Sequence, residues 1–284
     1  MSTDKKYLLA IDNGTQSVRA LVFDLDGQLV AKSQVEIEPF FSDQPGWAEQ
    51  HADYFWDRLC DACQQLWPRL DFPRTAIQAV ALTTQRATVI NLDAEGKPLR
   101  PAIIWLDQRE QLQLPGMGAW GVVLGMAGAT ANVRSFRSQA EANWIAARQP
   151  DIWRRTAKFL LLSGYHSYRL TGRYVDSVAS QVGYLPFDFR RQQWCGPGDW
   201  KWKALPIVRQ QLPELVPAGA ELGRIIANKV NAYTAPVTVL LPLKGISVIS
   251  APGGAFHDAT ADSALFEAIR LNLNPGVGII EMDA

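Results

Sequence analysis

The 284-residue sequence predicts an α/β protein built on a mixed sheet, and three observations carry that prediction. Apolar runs at residues 7–11 and 20–23 bracket a polar turn, and a second turn follows at once, as in an antiparallel meander. Further apolar runs at 79–82 and 102–104 each end in polar residues, as strands do when their carboxyl ends face a ligand. Near the C-terminus an apolar run, a helical pattern and another apolar run follow one another, which reads as a βαβ unit.

The first turn is Asp12-Asn13-Gly14-Thr15-Gln16-Ser17-Val18-Arg19. Asn-Gly lets the backbone take positive φ and closes a two-residue hairpin. Thr15, Gln16 and Ser17 then offer hydroxyls, an amide and backbone N–H groups around one point, with Asp12 and Arg19 on either side. Phosphate binding needs that mixture, including an acid to hold Mg²⁺. The plainer alternative is a hairpin turn with solvated polar residues. Asp24-Leu25-Asp26-Gly27 supplies the second turn, and the alternation in Gln34-Val35-Glu36-Ile37-Glu38 ends a third strand.

A helix follows from about Tyr54 to Leu66, with Phe55, Leu59, Cys63 and Leu66 at helical spacing. Cys60 and Cys63 lie inside it, with no second cysteine pair or neighbouring histidine, so they read as core rather than as a zinc site. His51, His166 and His257 are far apart and form no metal motif. Gln85-Arg86 stands at the end of what reads as a buried strand. Arg86 is suited to sugar hydroxyls or a sugar carboxylate, or else to a surface ion pair. Trp105-Leu106-Asp107-Gln108-Arg109 offers an aromatic platform, a hydroxyl acceptor and a cation within one turn. Trp194, Trp200 and Trp202 read as anchors for a long loop, with stacking on a sugar as the alternative.

With 28 basic and 28 acidic residues, neither nucleic acid nor an acidic membrane surface is implied. No apolar run is long enough to span a bilayer, and residues 8–11 are too short for a signal peptide. Three cysteines make no disulfide framework, so a cytoplasmic setting is expected.

In its first 225 residues the chain resembles the FGGY family of carbohydrate kinases. The likeness rests on the Asp12 to Arg19 turn, Pro45-Gly46-Trp47-Ala48-Glu49-Gln50 and Thr83-Thr84-Gln85-Arg86. It continues through Trp105 to Arg109, Trp144-Ile145, Tyr168-Arg169-Leu170-Thr171-Gly172, Val175-Asp176-Ser177 and Gly219 to Ile225. The resemblance implies an actin-like, RNase-H-like domain that uses ATP and Mg²⁺ to phosphorylate a sugar or polyol hydroxyl. It places ATP phosphate on Asp12, Gly14, Thr15, Gln16, Ser17 and Arg19, the metal on Asp12, and substrate on Gln85, Arg86, Trp105 and Asp107. Glycerol-type kinases follow the matching Arg with Glu, where this chain has Ala87. Xylulose-type kinases carry Met-His there, and neither residue is present.

Past residue 225 the kinase pattern stops. The family's glycine-rich strand and loop, which carries the general-base Asp, is not found, so the catalytic base is unassigned. Residues 226–284 resemble instead the C-terminal part of the Tm-1-like (UPF0261) family, through Leu243-Lys244-Gly245-Ile246-Ser247 and Ala251-Pro252-Gly253-Gly254. The chain therefore looks chimeric, and its kinase activity is expected to be impaired. The alternative is a non-catalytic sugar-binding remnant. The tail helix is expected to bury Ala264, Leu265, Ala268, Ile269 and Leu271, with Asp258 and Asp262 at its start. Gly253-Gly254 reads as a loop or an anion cradle. Homo-oligomerisation is left open.

Overall fold

Alternating side chains build the first sheet. A computed structural model describes residues 5–216, 238–242 and 259–282. Strand β1 (Tyr7–Asn13) buries Tyr7, Leu9, Ile11 and Asn13 on one face. It pairs antiparallel with β2 (Ser17–Asp24), which pairs antiparallel with β3 (Leu29–Glu36). The meander expected from the turn chemistry is thus present. Its second turn is closed by Asp24, whose Oδ1 accepts from the N–H groups of Asp26 and Gln28, with Gly27 at φ +82°.

After β4 (Glu49–Gln50) comes α1 (Ala52–Leu66), which lies on this sheet with Phe55, Leu59, Ala62 and Leu66 buried. Cys60 and Cys63 are half-buried on it, and burial raises both thiol pKa values, Cys63 to about 11. Neither is poised as a thiolate, and no metal-holding cluster occurs among the described residues.

Strand β5 (Ile77–Thr84) joins β1 in parallel and makes the sheet mixed, in the order β3-β2-β1-β5. The sequence reading of a buried strand fails here. Among the described residues β5 is an edge strand, and Val80 is 51% exposed. An apolar run alone does not reveal whether both faces will find partners.

A second, antiparallel sheet contains β4, β6 (Val89–Leu92), β7 (Ala102–Ile103) and β8 (Lys158–Leu161), in the order β4-β7-β6-β8. Between β7 and β8 run α2 (Ala119–Met126), α3 (Thr130–Gln139), α4 (Glu141–Arg148) and α5 (Pro150–Arg155). Helix α6 (Leu162–Thr171) ends at Gly172 in the left-handed conformation. Then come β9 (Val175–Ser177), β10 (Phe187–Asp188), β11 (Gln193–Trp194), α7 (Lys201–Ala204) and β12 (Glu214–Val216).

The loop tryptophans are anchors. Trp194 is buried and donates to the Pro213 carbonyl, while Trp202 donates to that of Cys195.

The chain divides into two compact units, Met1–Leu215 and Val216–Ala284. In the second, β13 (Thr238–Pro242) pairs in parallel with β14 (Gly278–Met282), and α8 (Ala259–Asn272) lies between them in sequence. This is the expected βαβ arrangement. Leu265, Phe266, Ala268 and Ile269 are buried, but Leu271 is 76% exposed. At about 100° per residue, Leu271 points away from the Leu265–Ile269 stripe and Phe266 falls beside it. Gly253, Gly254 and Asp258, and the side chains of Asp262 and Ala264, lie outside what is described. Among the described residues, no helix is long and apolar enough to cross a membrane.

Candidate active site

The β1–β2 register opposes Asn13 to Val18 and hence Gly14 to Ser17, so the two-residue loop is Thr15-Gln16 rather than the expected Asn13-Gly14, and Gly14 does not take positive φ. Its N–H donates to the Ser17 carbonyl at 3.0 Å, and a Cβ there would sit 3.3 Å from that same oxygen. Glycine is therefore needed for close backbone approach rather than for a left-handed twist. Asp12 and Arg19 are directly opposed across the strand pair, which explains their 2.9 Å ion pair. Thr15 is half-buried, Ser17 buried, and Gln16 exposed. Hydroxyls, backbone N–H groups, a guanidinium and a carboxylate thus share one turn, a donor set that fits phosphate oxygens with Mg²⁺. One carboxylate suffices for a cation that keeps most of its water.

Two supports of this turn escape sequence reading. The Asn13 carbonyl accepts from the Gln85 N–H at 2.7 Å, tying the turn to the end of β5. The Asn13 side chain is buried and meets His166 of α6, with Oδ1 and Nε2 2.8 Å apart. Because Asn13 Nδ2 donates to the Gly14 carbonyl, the ring N–H is the donor in that pair. Desolvation lowers the His166 pKa to about 3, so the ring is neutral.

The loop after β7 reaches the same turn. Trp105, 51% exposed, donates from Nε1 to Thr15 Oγ1 at 3.2 Å, joining residues 90 positions apart. Asp107 behaves differently. Its Oδ1 accepts from the Arg109 backbone N–H at 2.9 Å and from Arg109 Nε at 2.7 Å. Its Oδ2 accepts from Arg109 Nη2 at 2.6 Å and from the Ala48 N–H at 2.7 Å. That saturates a carboxylate. Arg109 also pairs with Glu49 at 2.7 Å and lies against Trp47 and Trp144, 4.0 and 4.5 Å from their ring centroids. Arg100 completes the cluster through Glu49, and desolvation lowers its pKa.

Two cavities meet at Ala87, which lines both. The larger, about 470 Å³, is lined by Trp105, Asp107, Arg109, Glu110, Glu141 and Tyr184. The smaller, about 380 Å³, is lined by Thr83, Gln85, Arg86, Ser163, Ser177 and Ser180. The four residues expected to bind substrate are therefore split, Trp105 and Asp107 in one and Gln85 and Arg86 in the other.

Arg86 donates to the Ala179 carbonyl at 3.2 Å. Gln85 is only 8% exposed, yet neither Nε2 nor Oε1 has a hydrogen-bond partner. Ala87 sits at φ 53°, a left-handed conformation that costs a residue with a Cβ. Buried Asp176 braces the smaller wall, accepting from Ser163 Oγ and Gln181 Nε2, both at 2.9 Å, and desolvation raises its pKa to about 6. Glu141, which opens α4, carries no signal of its own beside Trp144-Ile145 in the sequence. Desolvation raises its pKa to about 7.

Residues 7–242 match the model of the FGGY family of carbohydrate kinases, N-terminal domain. Residues 214–284 match that of the C-terminal domain of an uncharacterised family, UPF0261, so the two matches overlap across 214–242. A glycerol kinase from Shewanella pealeana is 31% identical over 227 residues, covering 77% of this chain and 45% of that protein. Another, from Ectopseudomonas mendocina, is 30% identical over 239 residues, covering 80% and 47%. Among solved structures, a xyloylose kinase from Brucella ovis superimposes with a TM-score of 0.59 at 25% identity, covering 75% of this chain and 44% of that one. A xylulose kinase from Rhodospirillum rubrum gives 0.58 at 19% identity, covering 84% and 54%, which supports the actin-like fold. The chain spans about half the length of the relatives it matches.

Proposed function

Because this chain belongs to the FGGY family of carbohydrate kinases, we propose that it binds a sugar or polyol beside Trp105 and ATP phosphate at the β1–β2 turn. Residues 1–225 form the kinase portion in this reading, and 226–284 are of other origin. The setting is a cytoplasm. The observation that carries the reading is the Trp105–Thr15 hydrogen bond, which brings the aromatic platform to the phosphate turn. Gly14, Thr15, Gln16, Ser17 and Arg19 would hold phosphate oxygens, and Asp12 would hold Mg²⁺. ATP supplies the transferred phosphoryl group. The protein's work is to position a hydroxyl and to neutralise charge.

Turnover by this chain alone should be negligible. The glycine-rich segment that carries the base in related kinases is not recognisable in the sequence. Losing a positioned base costs about 10²–10⁴-fold. The alternative, sugar binding without turnover, is favoured by the unpartnered Gln85 amide, a binding group that persists without a recognisable base.

Calorimetric titration with ATP, sugars, polyols and sugar acids, paired with a coupled ADP-release assay, tests both parts. We expect binding of ATP and of at least one sugar or polyol, with ADP release no faster than in Asp12→Ala. Robust release abolished by that substitution would overturn the impaired reading. Absence of all binding would overturn the site itself.

A further inference from the structure

We infer that Glu141, rather than Asp107, is the carboxylate that receives substrate hydroxyls in the larger cavity, and that this cavity admits a neutral sugar or polyol while turning away a sugar acid. The inference rests on the proposed sugar site beside Trp105.

It starts from which polar groups are already engaged. Asp107 accepts four hydrogen bonds from Arg109 and Ala48 and has none to give a ligand. Tyr184 spends its hydroxyl proton on Gln139 Oε1. Glu141 lines the same cavity, and the hydrogen bond that acts on its carboxyl comes from its own backbone N–H. An open carboxylate in the same cavity as an exposed indole is the combination that sugar recognition needs. The ring covers the apolar face of the sugar, and the carboxylate accepts hydroxyl protons through charge-assisted bonds.

The charge balance sets the selectivity. Among the described residues lining this cavity, Asp107, Glu110 and Glu141 are acidic and Arg109 is the one cation. Arg109 is already paired with Asp107 and Glu49 and lies against two tryptophans. A ligand carboxylate entering here meets like charge with no guanidinium to receive it, whereas hydroxyls meet an acceptor. The cation suited to an acid, Arg86, lines the other cavity. Asp107, Arg109, Glu110 and Tyr184 face or act on Glu141, and at pH 8 its carboxyl, with a pKa near 7, is ionised.

The test uses the full chain at pH 8 and matched pairs: glycerol with glycerate, xylitol with xylonate, and sorbitol with gluconate. Affinity is read by calorimetry and by tryptophan fluorescence. For the pair that binds best, wild type should prefer the polyol by about tenfold or more. Glu141→Gln should weaken the polyol about tenfold and shrink the preference to about threefold or less. A role confined to folding would weaken both members alike and leave the ratio unchanged, which would overturn the inference. Equal affinity of wild type for acid and polyol would overturn it without any variant. Glu141→Asp, which keeps the charge, should retain the preference. Binding of no member of any pair would remove the sugar site itself and the inference with it.

Discussion

The segments after β5 and β7 both arrive at the cleft around Ala87, yet they treat their polar groups in opposite ways. After β7, Asp107 and Arg109 turn inward and engage Glu49 and the Ala48 amide, while the Trp105 ring stays exposed. After β5, the side-chain amide of Gln85 is as deeply buried but meets no hydrogen-bond partner, and Ala87 holds a strained backbone. Buried polar groups are normally paired, so a cluster whose charges are ion-paired, although Arg109 Nη1 and Arg100 Nε and Nη1 make no hydrogen bond, and an amide with no partner at all mark different roles. The first holds a loop in shape. The second keeps hydrogen-bonding capacity open for something that arrives from outside. A residue's chemical type therefore says less about its role than whether its partners are already present.

The largest effect should come from the ion-paired side. In Arg109→Met the side-chain volume is roughly kept, but Asp107 and Glu49 lose the cation between them. Breaking a buried ion pair from one end costs about 3–5 kcal/mol, because the remaining charge is uncompensated. Urea unfolding monitored through the tryptophans should show a loss of that size. A loss under about 1 kcal/mol, within the range of exposed pairs, would place the cluster among surface ion pairs and erase the contrast.

A smaller effect of opposite sign is expected after β5. A buried amide left without partners costs about 1–3 kcal/mol, and Gln85→Met removes it at similar volume. The variant should be more stable than wild type by about 1 kcal/mol or more, while sugar or polyol binding weakens. Thermal melting with a parallel titration checks both halves. A variant that melts lower would show that the amide has partners in the folded chain, and Gln85 would then belong with Asp107 rather than opposite it.

The sequence discloses the parts of this contrast but not their wiring. The meander is legible because Asp24-Leu25-Asp26-Gly27 and the strand alternation are local signals. Trp194 and Trp202 are legible as anchors because an indole in a polar loop needs both burial and an N–H partner. The saturation of Asp107 is not, because Ala48 lies 59 residues away in the chain. Nor is the His166–Asn13 pair, which spans 153 positions. The open edge of β5 and the split of the four expected substrate residues between two cavities depend on which elements become neighbours. Glu141 escapes notice because a helix that opens on Glu is ordinary, and only the cavity around it makes it unusual.

The smallest effect concerns Ala87, where the two cavities meet. A residue with a Cβ in the left-handed region carries a cost of about 1–2 kcal/mol relative to the ordinary helical well. Glycine escapes that cost but loses more backbone freedom on folding, by about 0.5–1 kcal/mol relative to alanine. The first term exceeds the second, so Ala87→Gly should stabilise the chain by about 0.5–1 kcal/mol. Urea unfolding at matched conditions resolves a shift of that size in the midpoint. If glycine destabilises instead, the strain at φ 53° is offset by what the Ala87 methyl touches, including its approach to Gly183, where an added Cβ would stand 4.0 Å away. The methyl group would then act as a packed divider between the cavities. If glycine stabilises while the polyol-to-acid ratio stays fixed, the strain belongs to the route of the backbone past Gln85, and the charge on Glu141 alone carries the selectivity.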